Sequence, residues 1–236
     1  MMRSSGEILA AVMRRVRESV QPGMTTLDID RLSEGFILKE NALPAFKDYN
    51  GFPACACVSV NEEVVHGIPS PRVILEGDII SIDLGVNYKG YFSDMAVTLP
   101  VGRVEKEKQR LIEVTRDSLE AGIKKACPGN YLTDISHSIQ VFVEGHGFSV
   151  VRQFVGHGIG SALHEEPEVP NFGAPGLGPL LKSGMVLAIE PMVNIGGWEC
   201  RIARNGWTAL TKDGSASAHF EHTVAVTDKG PLILTE

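Results

Sequence analysis

Five residues of this sequence have the types and settings to hold cations: Asp83, Asp94, His157, Glu190 and Glu221. Glu190 ends the apolar run Val186-Leu187-Ala188-Ile189, where an unpaired carboxylate would be costly to bury. Glu221 lies in Ala218-His219-Phe220-Glu221-His222-Thr223-Val224-Ala225-Val226, a strand-like stretch with no Lys or Arg to neutralise it. His157 stands between Gly156 and Gly158, and these glycines are expected to let the backbone turn tightly and present the imidazole. Asn87-Tyr88-Lys89-Gly90 reads as a turn joining two β-rich runs, 79–86 and 91–98. Centring that turn on Tyr88 and Lys89 predicts that Asp83 and Asp94 face each other across a hairpin. Facing residues have β-carbons roughly 4.5 to 5.5 Å apart, so two like charges there repel unless something positive sits between them.

Any one of these acids alone reads as an ordinary exposed carboxylate. Together the four carboxylates and one neutral imidazole carry a charge that two divalent cations balance. Oxygen-rich ligation with a single nitrogen and no thiolate suits Co, Mn, Fe or Zn better than a structural cysteine-based zinc site does. Two such ions roughly 3.5 to 4 Å apart can share a water, lower its pKa and polarise a carbonyl, which is the chemistry of amide hydrolysis.

The elements that must position these groups show an internal repeat. Ser4-Ser5-Gly6-Glu7 reads as a capping box that starts a helix at Ser4, with Ile8, Val12, Val16 and Val20 on one face and Pro22-Gly23 as its stop. A second helix is expected over Thr26–Lys39, with Ile29, Leu32 and Phe36 on one face. The order then returns: a charged helix over 107–126 ends at Pro128-Gly129, and another begins near Thr133. Pro-Gly and Asp-Ile pairs recur at one offset, and the segment that runs from Gly77 to Asp83 resembles the one that runs from Gly184 to Glu190. These features suggest one catalytic domain made of two related halves, roughly 1–100 and 105–236, related by a pseudo-two-fold axis. Both carboxylates would then sit near that axis, where a shared site can form.

The 236 residues suffice for a sizeable core, and 43% hydrophobic with 22% charged residues is ordinary globular usage. A formal net charge of −7 disfavours nucleic acid as the main ligand, because phosphate binding needs clustered Lys and Arg. No stretch has the ~20 uninterrupted apolar residues of a membrane span, and the charged opening segment is unlike a signal peptide, so a cytoplasmic location is expected. Cys55, Cys57, Cys127 and Cys200 lack metal or redox spacing and are expected to be reduced thiols.

The motifs resemble the methionine aminopeptidase family, specifically its short type I members, over nearly the whole chain. The resemblance rests on Val64-Val65-His66-Gly67-Ile68-Pro69, the pair Asp83 and Asp94, Gly156-His157-Gly158-Ile159-Gly160, Leu163-His164-Glu165-Glu166-Pro167, Ile189-Glu190-Pro191-Met192 and Phe220-Glu221-His222-Thr223. It implies an α+β pita-bread fold, with a central curved antiparallel β-sheet and helices on its outer face. It also implies removal of the N-terminal methionine from nascent proteins whose second residue is small, by a monomer that could contact the ribosome.

By the same resemblance Asp83 would chelate one ion, His157 and Glu190 would favour the other, and Asp94 and Glu221 would bridge. Glu190 would also move a proton, while His66 and His164 would flank the scissile amide. Tyr49, Phe52, Cys57 and Trp207 would form the methionine pocket, since aromatic walls and a thiol suit an unbranched thioether. Asn50 and Leu163 depart from the residues that many relatives carry, which bears on rate and substrate tolerance. Two rivals use the same fold: a proline-directed peptidase, normally with an extra N-terminal domain, and a binding module that has lost catalysis.

Overall fold

Why the chain starts as it does is settled by packing. In the computed structural model, which describes all 236 residues, helix α1 spans Met2–Ser19 and begins two residues before the expected start. Its N-cap is Met1 with no side-chain cap, so the capping-box reading of Ser4 to Glu7 is incorrect. Ser5 and Gly6 are small for another reason. Ser5 is buried against the first hairpin, its Oγ 2.8 Å from Ser93 Oγ. A β-carbon on Gly6 would meet the carbonyl oxygen of Leu234 at 2.1 Å. The helix thus uses small residues to lie against strand backbone.

Helix α2 (Thr26–Lys39) has the expected bounds, and Thr25 and Asp28 form its capping box. Helix α3 (Lys106–Ile123) ends three residues before the expected limit, with turn hydrogen bonds carrying the chain on towards Pro128-Gly129. Helix α4 covers Leu132–Gly145. Helices α1 and α2 close over one apolar cluster, around Leu9, Met13, Ile29, Ile80 and Ile82, and α3 and α4 over a second, around Leu111, Ile135, Ile139, Leu187 and Ile189. Phe220 packs against both.

All strand pairings are antiparallel. One larger sheet pairs Ile79–Tyr88 with Tyr91–Pro100 on one edge and with Ala56–Val60 and Leu43–Pro44 on the other. The other runs through Gly230–Ile233, His222–Thr227, Val186–Ile189, Gly156–Gly158 and Glu165–Val169. Two three-stranded sheets complete the fold. The larger sheets meet where Glu221 N donates to Ala96 O at 2.9 Å and Thr223 Oγ1 bonds both backbone groups of Asp94.

The two halves share local geometry as well as order. Gly23 N donates to Ile74 O and Gly129 N to Leu181 O, Thr25 bridges Val73 and Tyr131 bridges Leu180, and Gly77 and Gly184 both have φ 95°. Such matched turns support reading the halves as copies of one unit.

The hairpin register corrects one expectation. Its turn is Lys89-Gly90, not Tyr88-Lys89, because both central residues of the favoured turn need positive φ, here 52° and 83°. Asp83 therefore faces Ala96, and Asp94 faces Gly85. The two aspartates are diagonal neighbours on the same face of the sheet, close enough for coupled charges but not directly opposite.

Candidate metal centre

Each acid reaches the site from an element fixed by backbone bonds. Asp83 and Asp94 project from the paired hairpin strands. Glu190 follows the strand Val186–Ile189 directly, and Pro191 after it cannot donate to a ladder, so the strand ends there. Glu221 sits in the link between Ser217–His219 and His222–Thr227. His157 is the middle residue of the strand Gly156–Gly158.

The glycines beside His157 therefore do not make the expected tight turn. They admit neighbouring backbone: a β-carbon at Gly156 would lie 2.3 Å from Ala188 O, and one at Gly158 would lie 2.2 Å from Glu166 O. Gly158→Ala is expected to cost about 1 to 3 kcal/mol of stability, read as a lower urea midpoint, because strand backbone cannot yield as a side chain can. An unchanged midpoint would show that the strands separate without cost.

All five residues line one cavity of about 600 Å³, together with His66, His164, Tyr49, Phe52, Cys57 and Trp207. No Lys or Arg lines it. Asp94 and Glu221 are only 3% and 2% exposed, yet Asp83 Oδ1 and Glu221 Oε1 have no hydrogen-bond partner. Burial, reinforced by the neighbouring carboxylates, raises Asp94 and Glu221 well above the usual carboxylate range. Burial likewise pushes Asp83 and Glu190 up to about 7. Such a cluster has no counter-charge within the protein, and buried charges are normally paired or bound to metal.

The donor set meets that need. Ligand atoms of Asp94, His157 and Glu221 lie within 4.8 Å of one another, as do those of Glu190, His219 and Glu221. Glu221 belongs to both groups, which suits a carboxylate shared by adjacent cations. His157 Nδ1 donates to the carbonyl of Gly158 at 2.8 Å, which leaves Nε2 bare, 3.6 Å from Glu190 Oε1. Burial lowers the His157 pKa and so favours the neutral, ligating form.

The remaining expected residues form the rest of the cavity. His164 Nδ1 is 2.8 Å from the Tyr49 hydroxyl, and its ring meets that of His157 edge-on at 4.2 Å. His66 has φ 60° and packs edge-on against Phe154. Burial pushes His66 down to about 4 and lowers His164 as well, so both imidazoles are neutral near pH 7. Phe52 and Trp207 make a T-shaped pair at 5.2 Å. Cys57 pairs in register with Asp83, and burial followed by that aspartate's charge raises its thiol, so it packs as a neutral group. Asn50 and Leu163 both line the cavity. The four cysteines are free.

Some neighbours escaped the sequence reading. Phe46, Phe154 and Met192 add apolar wall. His219 lies beside the acids, with Nε2 3.5 Å from Glu190 Oε2, and chain spacing gave no signal for it.

A family model described as metallopeptidase family M24 matches residues 1–228. A methionine aminopeptidase of Clostridium acetobutylicum is 54% identical over 235 residues, covering 99% of this chain and 94% of its own. The crystal structure of methionine aminopeptidase from Rickettsia prowazekii matches with a TM-score of 0.98 at 41% identity, covering 100% of this chain and 95% of that one. A prolidase from Pyrococcus furiosus shares the fold at a TM-score of 0.81 and 22% identity, and this chain spans 62% of its length.

Proposed function

This chain belongs to metallopeptidase family M24 and, within it, to the methionine aminopeptidases, and we propose that it removes the initiator methionine from nascent chains whose second residue is small. The proposed centre holds two divalent cations, drawn from Co, Mn, Fe or Zn, on Asp83, Asp94, His157, Glu190 and Glu221. The observation that supports it most is the buried group of acids with unpartnered oxygens and no Lys or Arg in the cavity.

Bound there, the cations would acidify the attacking water and polarise the scissile carbonyl. Glu190, with one oxygen 3.6 Å from His157 and the other 3.5 Å from His219, would be placed to take a proton from that water and pass it to the departing amine. A Tyr49 hydroxyl donating to His164 Nδ1 leaves the proton of that ring on Nε2, free to be donated to the oxygen of the attacked carbonyl. His66, neutral by burial, offers a second such donor. The methionine side chain would lie against Tyr49, Phe52, Cys57 and Trp207, where aromatic edges and the thiol give dispersion contacts to its sulfur.

The same reading makes the chain one domain of two related halves, acting as a monomer in the cytoplasm and meeting its substrates near the ribosome. No helix is long and apolar enough to cross a membrane. Peptide hydrolysis by metal-free protein reconstituted with one metal at a time tests the function. Met-Ala-Ser should release methionine, while Met-Leu-Ser and Ala-Pro peptides should be cleaved far more slowly. Preferred cleavage of Ala-Pro would overturn the assignment in favour of a proline-directed peptidase.

A further inference from the structure

His219 is almost fully buried, at 2% exposed, and its Nε2 has no hydrogen-bond partner. Nε2 lies 3.5 Å from Glu190 Oε2, on the opposite side of that carboxylate from His157, whose Nε2 is 3.6 Å from Oε1. The two imidazoles differ in one decisive respect: His157 lines the cavity and His219 does not. The ligand atom of His219 lies within 4.8 Å of those of Glu190 and Glu221, so its distance alone does not separate a ligand from a support, and the cavity lining does.

Its backbone is held from both sides. His219 N donates to Thr98 Oγ1 at 2.8 Å, and its carbonyl bonds the same hydroxyl at 2.8 Å, with Ser81 Oγ 2.8 Å beyond. Antiparallel pairing with Met192 fixes the strand on its other edge. The backbone that carries the ring is thus anchored by groups outside the candidate ligand set. An ionised carboxylate is acceptor-only, so the complementary state of a ring nitrogen beside it is a protonated donor.

We propose that His219 is a positioning residue, whose neutral imidazole donates Nε2–H to Glu190 Oε2 and holds that carboxylate turned into the cavity. The proposal rests on the metal-centre reading above. It gives Glu190 one oxygen fixed from behind, leaving the other for the cation beside His157. Carboxylates that act as ligands are commonly oriented by such outer hydrogen bonds, whose loss weakens metal binding about 10- to 100-fold.

The test is titration of metal-free protein with cobalt(II), followed by X-ray absorption to count imidazole nitrogens. His219→Gln keeps a neutral donor and should bind cobalt nearly as tightly as the wild type, with an unchanged imidazole count. His219→Leu keeps the volume without the donor and should bind about 10- to 100-fold more weakly. Circular dichroism of the metal-free variants checks that each is folded. Loss of an imidazole nitrogen in His219→Gln would overturn the proposal, because the residue would then be a direct ligand. So would wild-type affinity in a folded His219→Leu, or a loss in His219→Gln as large as that in His219→Leu. Failure of the wild type to bind cobalt at all would overturn the metal centre itself, a result distinguishable from each of these.

Discussion

Glu190→Gln is expected to lower kcat for methionine release from Met-Ala-Ser by about 10²- to 10⁴-fold, the usual worth of a positioned acid-base group. The amide keeps the size of the side chain and one oxygen donor but cannot take a proton. Glu190 sits with one oxygen near His157 and the other near His219, and burial raises it to about 7. A carboxylate held in that position is placed to accept a proton from the attacking water and return it to the leaving amine, which the amide of Gln cannot do. Loss of an interaction made only in the transition state lowers kcat and kcat/KM together. Glu190→Ala removes a ligand as well and should abolish activity. Steady-state kinetics on the metal-loaded variants decide the matter: undiminished turnover in either would refute the assigned role.

Stripping the cations should make stability fall as pH rises, and restoring them should remove that fall. Without cations, Asp83 and Glu190 are raised to about 7 from ordinary values of 3.8 and 4.5. A folded-state pKa above the unfolded one means that the folded protein binds more protons. The stability this contributes is fully present below the unfolded values and is lost as pH rises through about 7. Asp94 and Glu221 are shifted the same way by burial and by the charges of neighbouring carboxylates, which deepens the loss. Divalent cations reverse the balance by favouring the ionised carboxylates, and each ion at 100 times its Kd adds about 2.7 kcal/mol. Thermal unfolding across this range, with chelator and with added manganese, gives the comparison. Parallel curves would mean that the acids are not the cation site.

The candidate acids stood out in the sequence as a set rather than singly, because carboxylates beside apolar runs or beside each other need something positive near them. Glu190 ends an apolar run, and Glu221 lies in a strand-like stretch of sequence with no basic residue near it. Apolar periodicity also placed α2 well, and the structure adds the Thr25 and Asp28 capping box that starts it. Failures occurred where a residue answers to a distant segment. Ser5 and Gly6 look like a cap but are small to fit Ser93 and Leu234, which lie far along the chain. Gly156 and Gly158 look like a turn but make room for Ala188 and Glu166.

The sequence by itself determined the types of the candidate ligands, the repeat offset and the family resemblance, because these depend on residue identity and local spacing. Only the tertiary structure decided the hairpin register, which brings Asp83 and Asp94 into diagonal rather than facing positions, since positive φ at Lys89 and Gly90 sets the pairing. It also decided that His219 lies beside Glu190 without lining the cavity. Both outcomes depend on how separate strands pack, and chain spacing carries no record of which side of a carboxylate a distant ring will approach.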